Sequence, residues 1–147
     1  MGNSAQEIAN LVYRYAELVD LGDFAGVGKL FAYARVTSNV SDEVREGADG
    51  MRTQLEGWTR RYGDGTPHTK HLTTNLIIDV DEEKGTALCR SYYCVLQQVE
   101  ALRLQPIVAG RYHDEFRRID GVWWFTKRHY INELVGDVSA HLLQRLP

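Results

Sequence analysis

Four residues of this chain have the types that do acid–base chemistry near neutral pH and stand where chain order can bring them together. His71 lies near the start of a β-branched, apolar run, "PHTKHLTTNLIIDV". Asp20 closes the stretch "LVYRYAELVD", and Tyr15 stands five residues before it. Arg128 lies in "VWWFTKRHY". An imidazole beside a carboxylate forms a dyad. The carboxylate accepts the Nδ1 proton, fixes the tautomer, and leaves Nε2 as a general base. A phenol or guanidinium nearby donates to a leaving oxygen or a developing oxyanion. Metal binding through His68 and His71 is disfavoured, because strand residues three apart face opposite sides. There is no G-x-S-x-G, neither cysteine lies in an activating motif, and "GDG" reads as a turn rather than a phosphate loop.

These residues need elements to hold them. "SAQE" reads as a capping box, with Ser4 as N-cap and Glu7 reaching back, opening a helix with Ile8, Leu11, Val12, Tyr15, Leu18 and Val19 at the helical period. Gly22 fits its stop, Asp23 caps a short second helix, "FAGVGKLF", and Asp20 sits at the corner between them. A strand pair is expected around "ARVTSNV" and "EVREG". Asp49 is then expected to cap a third helix, with Met51, Leu55, Trp58 and Tyr62 on one face. Long strands follow at roughly 68–80, 86–101, 106–119 and 122–135, the last two joined by the hairpin signal "DG". The tail "DVSAHLLQRL" is expected to form a short helix with His141 facing solvent.

Helices followed by antiparallel strands make an α+β order, and a curved sheet wrapped on helices leaves a cavity between the layers. Strict alternation places Arg128 on one face with Trp124, Thr126 and Tyr130, unless a bulge intervenes, and His71 with Thr73, Asn75 and Ile77. Trp58, Tyr130, Trp124 and Asn75 are the expected substrate-pocket residues. His113 and Asp114 face opposite ways and do not pair. The rows Met51, Trp58, Tyr62 and Trp123, Phe125 also read as core or as a subunit interface, and the apolar sheet face predicts a homodimer or homotrimer.

The whole chain of 147 residues fits one domain with one core. A net charge of −3 gives no basic footprint for nucleic acid. No apolar run is long enough to span a membrane, and the start lacks both a signal-peptide core and, with Gln6 at the sixth position, a myristoylation signal. Cys89 and Cys94, five apart on one strand, face opposite ways and cannot pair, which suits a reducing, cytoplasmic setting.

The stretches "YRYAELVDLGD…LF", "KHLTTNL" and "GRYHDEFRRIDGVWWFTKR" resemble the SnoaL-like branch of the nuclear-transport-factor-2-like superfamily over nearly the whole chain. The pattern is most similar to the hexachlorocyclohexane dehydrochlorinase, scytalone dehydratase and bile acid dehydratase group. That resemblance implies a cone-shaped α+β fold, a curved antiparallel sheet wrapped around N-terminal helices enclosing a pocket. It also implies an Asp20-supported His71 that removes a proton, with Arg128 and Tyr15 assisting an elimination. Tyr15 matches the tyrosine of the bile acid dehydratase pattern, whereas the dehydrochlorinase carries a lysine there, which points to an oxygen leaving group. The second pocket aspartate of the bile acid enzyme has no counterpart in this reading; Cys94 lies near that place. The expected activity is a cofactor-free, metal-free lyase or isomerase acting on a small, largely apolar substrate. A non-catalytic ligand-binding or dimerisation module is the alternative, and epoxide hydrolysis or polyketide cyclisation would use the same fold.

Overall fold

The computed structural model describes residues 3–147, and the Met1–Gly2 start on which the myristoylation reading rests lies outside the described residues. The first helix, α1, runs Ser4–Asp20, and its cap sits one residue earlier than "SAQE" predicts. Asn3 accepts the Gln6 amide, which frees Ser4 to turn inward and accept from Trp123 Nε1 at 3.1 Å. Gly22 ends the corner with φ +75°, where a Cβ would collide with the Gly65 carbonyl. Asp23 then caps α2 (Phe24–Leu30), accepting from Gly26 N as its sequence position predicts. The third helix, α3 (Gly47–Trp58), has Glu46 at its cap with no side-chain bond. Asp49 lies inside its first turn, where a carboxylate complements the helix dipole.

The strands β1 (Arg35–Ser38), β2 (Arg45–Glu46), β3 (Thr69–Asp81), β4 (Thr86–Val99), β5 (Leu102–Ile119) and β6 (Val122–Val135) form one curved, unclosed sheet. Its order is β2-β1-β6-β5-β4-β3. Neighbours are antiparallel except β1 on β6, which run parallel. The β5–β6 hairpin turns on Asp120 and Gly121, both at positive φ (51° and 80°), the geometry that "DG" favours.

Two bulges change which residues face inward. On β6 the pairing steps from Phe116↔Phe125 to Glu115↔Lys127, leaving Thr126 as the extra residue. Arg128 therefore shares the inner face with Trp123 and Phe125, not with Trp124. On β3 the register shifts between Thr74 and Ile77, and Asn75 takes a left-handed φ of 57°. Leu76, Ile78 and Val80 pack towards the core beyond it, and Ile77 is turned outward.

The core lies between the inner sheet face and the three helices, and includes Ile8, Val12, Phe31, Met51, Phe116, Trp123 and Phe125. Trp123 and Phe125 are thus buried within the monomer and supply no open face. The outer sheet face carries Leu72, Ile77, Leu88 and Tyr92 exposed among charged residues. The segment after β6 forms no helix. It crosses back over the open end of the layers, held by backbone bonds from Arg60 N to His141 O and from Leu143 N to Trp58 O. Gln97 Nε2 and the Tyr62 hydroxyl both donate to Ala140 O. His141 is buried rather than solvent-facing, because this crossing packs it inside. Cys89 and Cys94 are both free. Among the described residues, no helix is long and apolar enough to cross a membrane.

Candidate active site

Asp20 ends α1 where the helix runs onto the start of β3, and three donors of β3 converge on its carboxylate. Oδ1 accepts from Thr69 Oγ1 at 2.7 Å and lies 2.6 Å from His71 Nδ1. Oδ2 accepts from the His71 backbone amide at 2.8 Å. Burial pushes the Asp20 carboxyl up, but the His71 ring and amide and the Thr69 hydroxyl outweigh it, and the net shift is downward. An ionised carboxylate only accepts, so Nδ1 carries the proton and Nε2 is left with a free lone pair. The sequence pairing of Asp20 with His71 is present in space. His68, by contrast, pairs with Asp64 at 2.9 Å near the surface, so the two histidines serve different partners.

The His71 ring projects among aromatic and imidazole neighbours, 6.3 Å from the Tyr15 ring and 6.4 Å from His141 between centroids. Together they line an inner compartment of about 130 Å³ with Val19, Tyr93, Val95, Tyr112, Tyr130, Val138 and Leu142. An outer compartment of about 160 Å³ continues past Tyr15, Leu55, Thr59, Tyr130 and Asn132 to Trp58, Gln54 and Arg45. Most of the wall is apolar. Polar groups of the inner compartment are few, namely His71, His141, the tyrosine hydroxyls, Thr59 and Asn132, whereas the outer one also meets Glu43, Arg45 and Gln54.

Tyr15 is buried and accepts from the Tyr130 hydroxyl at 2.8 Å, so its own proton is free to donate. Burial raises the Tyr15 phenol, with Arg128 and the Tyr130 bond working against that rise, and the group stays protonated at neutral pH. Arg128 does not reach the cavity. It is wholly enclosed behind the tyrosines, 3.8 Å above the Tyr112 ring and 4.4 Å above the Tyr15 ring. Asp114 holds it with two bonds, to Nε at 2.8 Å and Nη2 at 3.0 Å. Burial lifts the Asp114 carboxyl despite Arg128, while Asp114 keeps the guanidinium protonated against its own burial.

Of the expected pocket residues, Trp58 and Tyr130 line the cavity. Trp124 does not: the Thr126 bulge leaves it outside, edge-on to Tyr33 at 5.0 Å. Asn75 does not either, because the β3 bulge exposes it. Four residues that the sequence does not assign to the site also belong to it or brace it, namely Asp114, Thr69, Asn132 and His141. Asp114 had a readable signal, an aspartate facing away from His113 in an otherwise apolar strand face. His141 had none in its local pattern.

A SnoaL-like domain family matches residues 3–129 of the chain. No curated protein sequence matches it. Among solved structures, a protein of unknown function from Mycobacterium tuberculosis is similar at 23% identity, TM-score 0.73, covering 90% of this chain and 73% of the other. A candidate scytalone dehydratase from Novosphingobium aromaticivorans is similar at 23% identity, TM-score 0.72, covering 91% and 87%. The ActVI-ORFA protein of Streptomyces coelicolor shares 17% identity, with TM-score 0.70 over 88% and 96%. At these identities the likeness is one of fold.

Proposed function

Since the chain belongs to the SnoaL-like domain family, we propose that it is a lyase that eliminates water from a small, largely apolar hydroxylated substrate, with His71 as the base. The observation that carries this reading is the threefold hold on Asp20, which leaves His71 Nε2 as the ring's free nitrogen beside a mostly apolar cavity. Nε2 takes a proton next to an activating carbonyl, and the imidazolium so formed is stabilised by Asp20. The carbonyl oxygen gains negative charge and accepts from the Tyr15 hydroxyl. Arg128, stacked 4.4 Å behind the Tyr15 ring, adds its positive field to that donor without touching the substrate. The His71 imidazolium returns its proton to the leaving hydroxyl, the C–O bond breaks to release water, and the enolate electrons close the new double bond. No step calls for a metal, nicotinamide or flavin.

A pure binding module has little use for a carboxylate-held imidazole beside an apolar cavity, and such groups cluster at catalytic sites. Isomerisation shares the first proton transfer and differs in where the proton returns. The free thiols Cys89 and Cys94 suit a reducing compartment such as the cytoplasm. The exposed Leu72, Leu88 and Tyr92 favour a homodimer or trimer through the outer sheet face. Light scattering at micromolar concentration tests that point, and a monomer would count against it.

The test of function is a panel of cyclic β-hydroxyketones, read by mass spectrometry for loss of water. Turnover by the wild type and its loss in His71→Ala are expected. A panel untouched by the wild type, or processed equally by His71→Ala, would sink the reading.

A further inference from the structure

His141 sits on the roof of the cavity, not on the sheet or helices that supply the dyad. Its residue is 7% exposed, yet Nδ1 is buried with no hydrogen-bond partner among the described residues. Its ring faces that of His71 edge-on across 6.4 Å and forms part of the inner compartment wall. A buried imidazole without protein partners is costly to keep when an apolar ring fills the same volume. The roof around it is otherwise apolar, with Val138, Leu142 and Leu146 beside the same space.

We propose that His141 is a substrate-binding residue of the site, donating a hydrogen bond from Nε2 to an oxygen of the bound molecule opposite His71. This rests on the elimination reading above and adds to it the substrate's second anchoring oxygen.

The tautomer follows from the surroundings. A proton on Nδ1 would be buried without an acceptor, so the proton belongs on Nε2. Burial and the charge of His71 push the His141 pKa down to about 4, against a smaller opposite pull from Asp20. The other polar side chains at the roof, Arg60 and Tyr62, bond to backbone carbonyls of Leu142 and Ala140 and leave the ring alone. His141 therefore stays a neutral donor while His71 shuttles a proton. One imidazole moves charge and the other holds an oxygen, because Asp20 bonds only the first. The ligand class is correspondingly narrow: a compact, mostly apolar ring system carrying an oxygen at each end of its reacting face.

The test uses 6-hydroxy-2-tetralone, a bicyclic ketone with an exchangeable α-proton and a second oxygen at its far end, and naphthalene-2,6-diol, which mimics its enol. Proton exchange of the ketone in deuterated water is followed by proton NMR. His141→Phe keeps a flat buried ring and should slow exchange about tenfold or more at saturating ketone. His141→Gln, which retains a donor, should recover part of it. Nitrogen NMR of the histidine rings, in wild type and in His71→Ala, gives a readout independent of turnover. The His141 signals should be those of a neutral Nε2–H ring and should move on adding naphthalene-2,6-diol. If the wild type exchanges nothing but the His141 signals still move, the elimination reading fails and this one stands. If His141→Phe exchanges at the wild-type rate, or the signals ignore both compounds, His141 is part of the roof only. Should His141→Phe fail to fold, the nitrogen signals decide alone.

Discussion

Asp114→Ala should be among the most destabilising single changes in this protein and, at pH 5, more so than Arg128→Met, its reciprocal. Both side chains of the pair are fully enclosed, at 0% exposure each. Asp114 is the acceptor for Nε and Nη2 of Arg128, and Nη1 already lacks a partner. Removing the carboxylate strands a guanidinium that cannot shed its proton, among the rings of Tyr15, Tyr112, Phe31 and Phe125. Breaking a buried pair this way costs about 3–5 kcal/mol, against a total stability on the order of 5–15 kcal/mol. At about 2–4 °C per kcal/mol for a chain of this size, the midpoint should fall by roughly 6–20 °C. Arg128→Met instead strands a carboxyl, which can neutralise itself. Holding an ordinary aspartate neutral costs about 4 kcal/mol at pH 7 and about 1.5 at pH 5, at about 1.4 kcal/mol per unit. In that variant the folded pKa lies above the unfolded one, so the penalty vanishes below the unfolded value and grows as pH rises. Between pH 7 and pH 5 Arg128→Met should therefore regain up to about 2–3 kcal/mol relative to wild type, whose own Asp114 carboxyl is already raised, while Asp114→Ala should not. Urea unfolding followed by circular dichroism at both pH values measures this. The double variant Asp114→Leu/Arg128→Met should recover most of the loss, because no charge remains buried. A cost under about 1 kcal/mol for Asp114→Ala, or a double variant as weak as either single one, would show that the fold does not depend on neutralising a buried charge here.

With a substrate in hand, His71→Ala should remove most of the turnover and Asp20→Asn should cost on the order of 10²-fold or more, by analogy with other carboxylate-supported histidines. The double variant should be little worse than His71→Ala, because the two act as one unit; losses that multiply in steady-state rates would separate them. The lowered Asp20 pKa stabilises the fold fully above the ordinary aspartate range, near about 4, and that contribution is lost as pH falls through the lower folded value. Asp20→Asn should consequently flatten the acid limb of stability in a pH series of urea midpoints, and an unchanged limb would place the acid sensitivity elsewhere. Incubation with a chelator, followed by the turnover assay, should leave the rate unaltered.

Much of this architecture is legible in the sequence because its signals are local. The helical period of Ile8 to Val19, the Asp23 cap and the "DG" turn each act within a few residues. Asp20 and His71 are legible too, as one closes a helix and the other opens a strand that the helix packs upon. Alternation fails where an extra residue enters. Counting back from the Asp120–Gly121 turn sets His113 opposite Arg128, and Thr126 moves Asp114 there instead. The same insertion takes Trp124 out of the cavity, and the Asn75 bulge does likewise on the first long strand. His141 was illegible for a different reason. Its burial comes from carbonyls held by Gln97, Tyr62 and Arg60, far away in sequence, and no periodicity in "DVSAHLLQRL" encodes them.

The crossing segment after β6 is fastened mainly through its backbone. Partners grip the carbonyls of Ala140 and His141 and the amide of Leu143, which every residue type except proline at the amide can offer. The side chains that look down, at Val138, His141, Leu142 and Leu146, are thus freed from the task of fastening it. Mutations can rewrite them while the same clasps close on the same atoms, and the sheet beneath need not adjust. A lineage built on this scaffold has in that segment an exchangeable faceplate, where a new ligand preference can be acquired a few substitutions at a time while the Asp20–His71 pair below stays fixed.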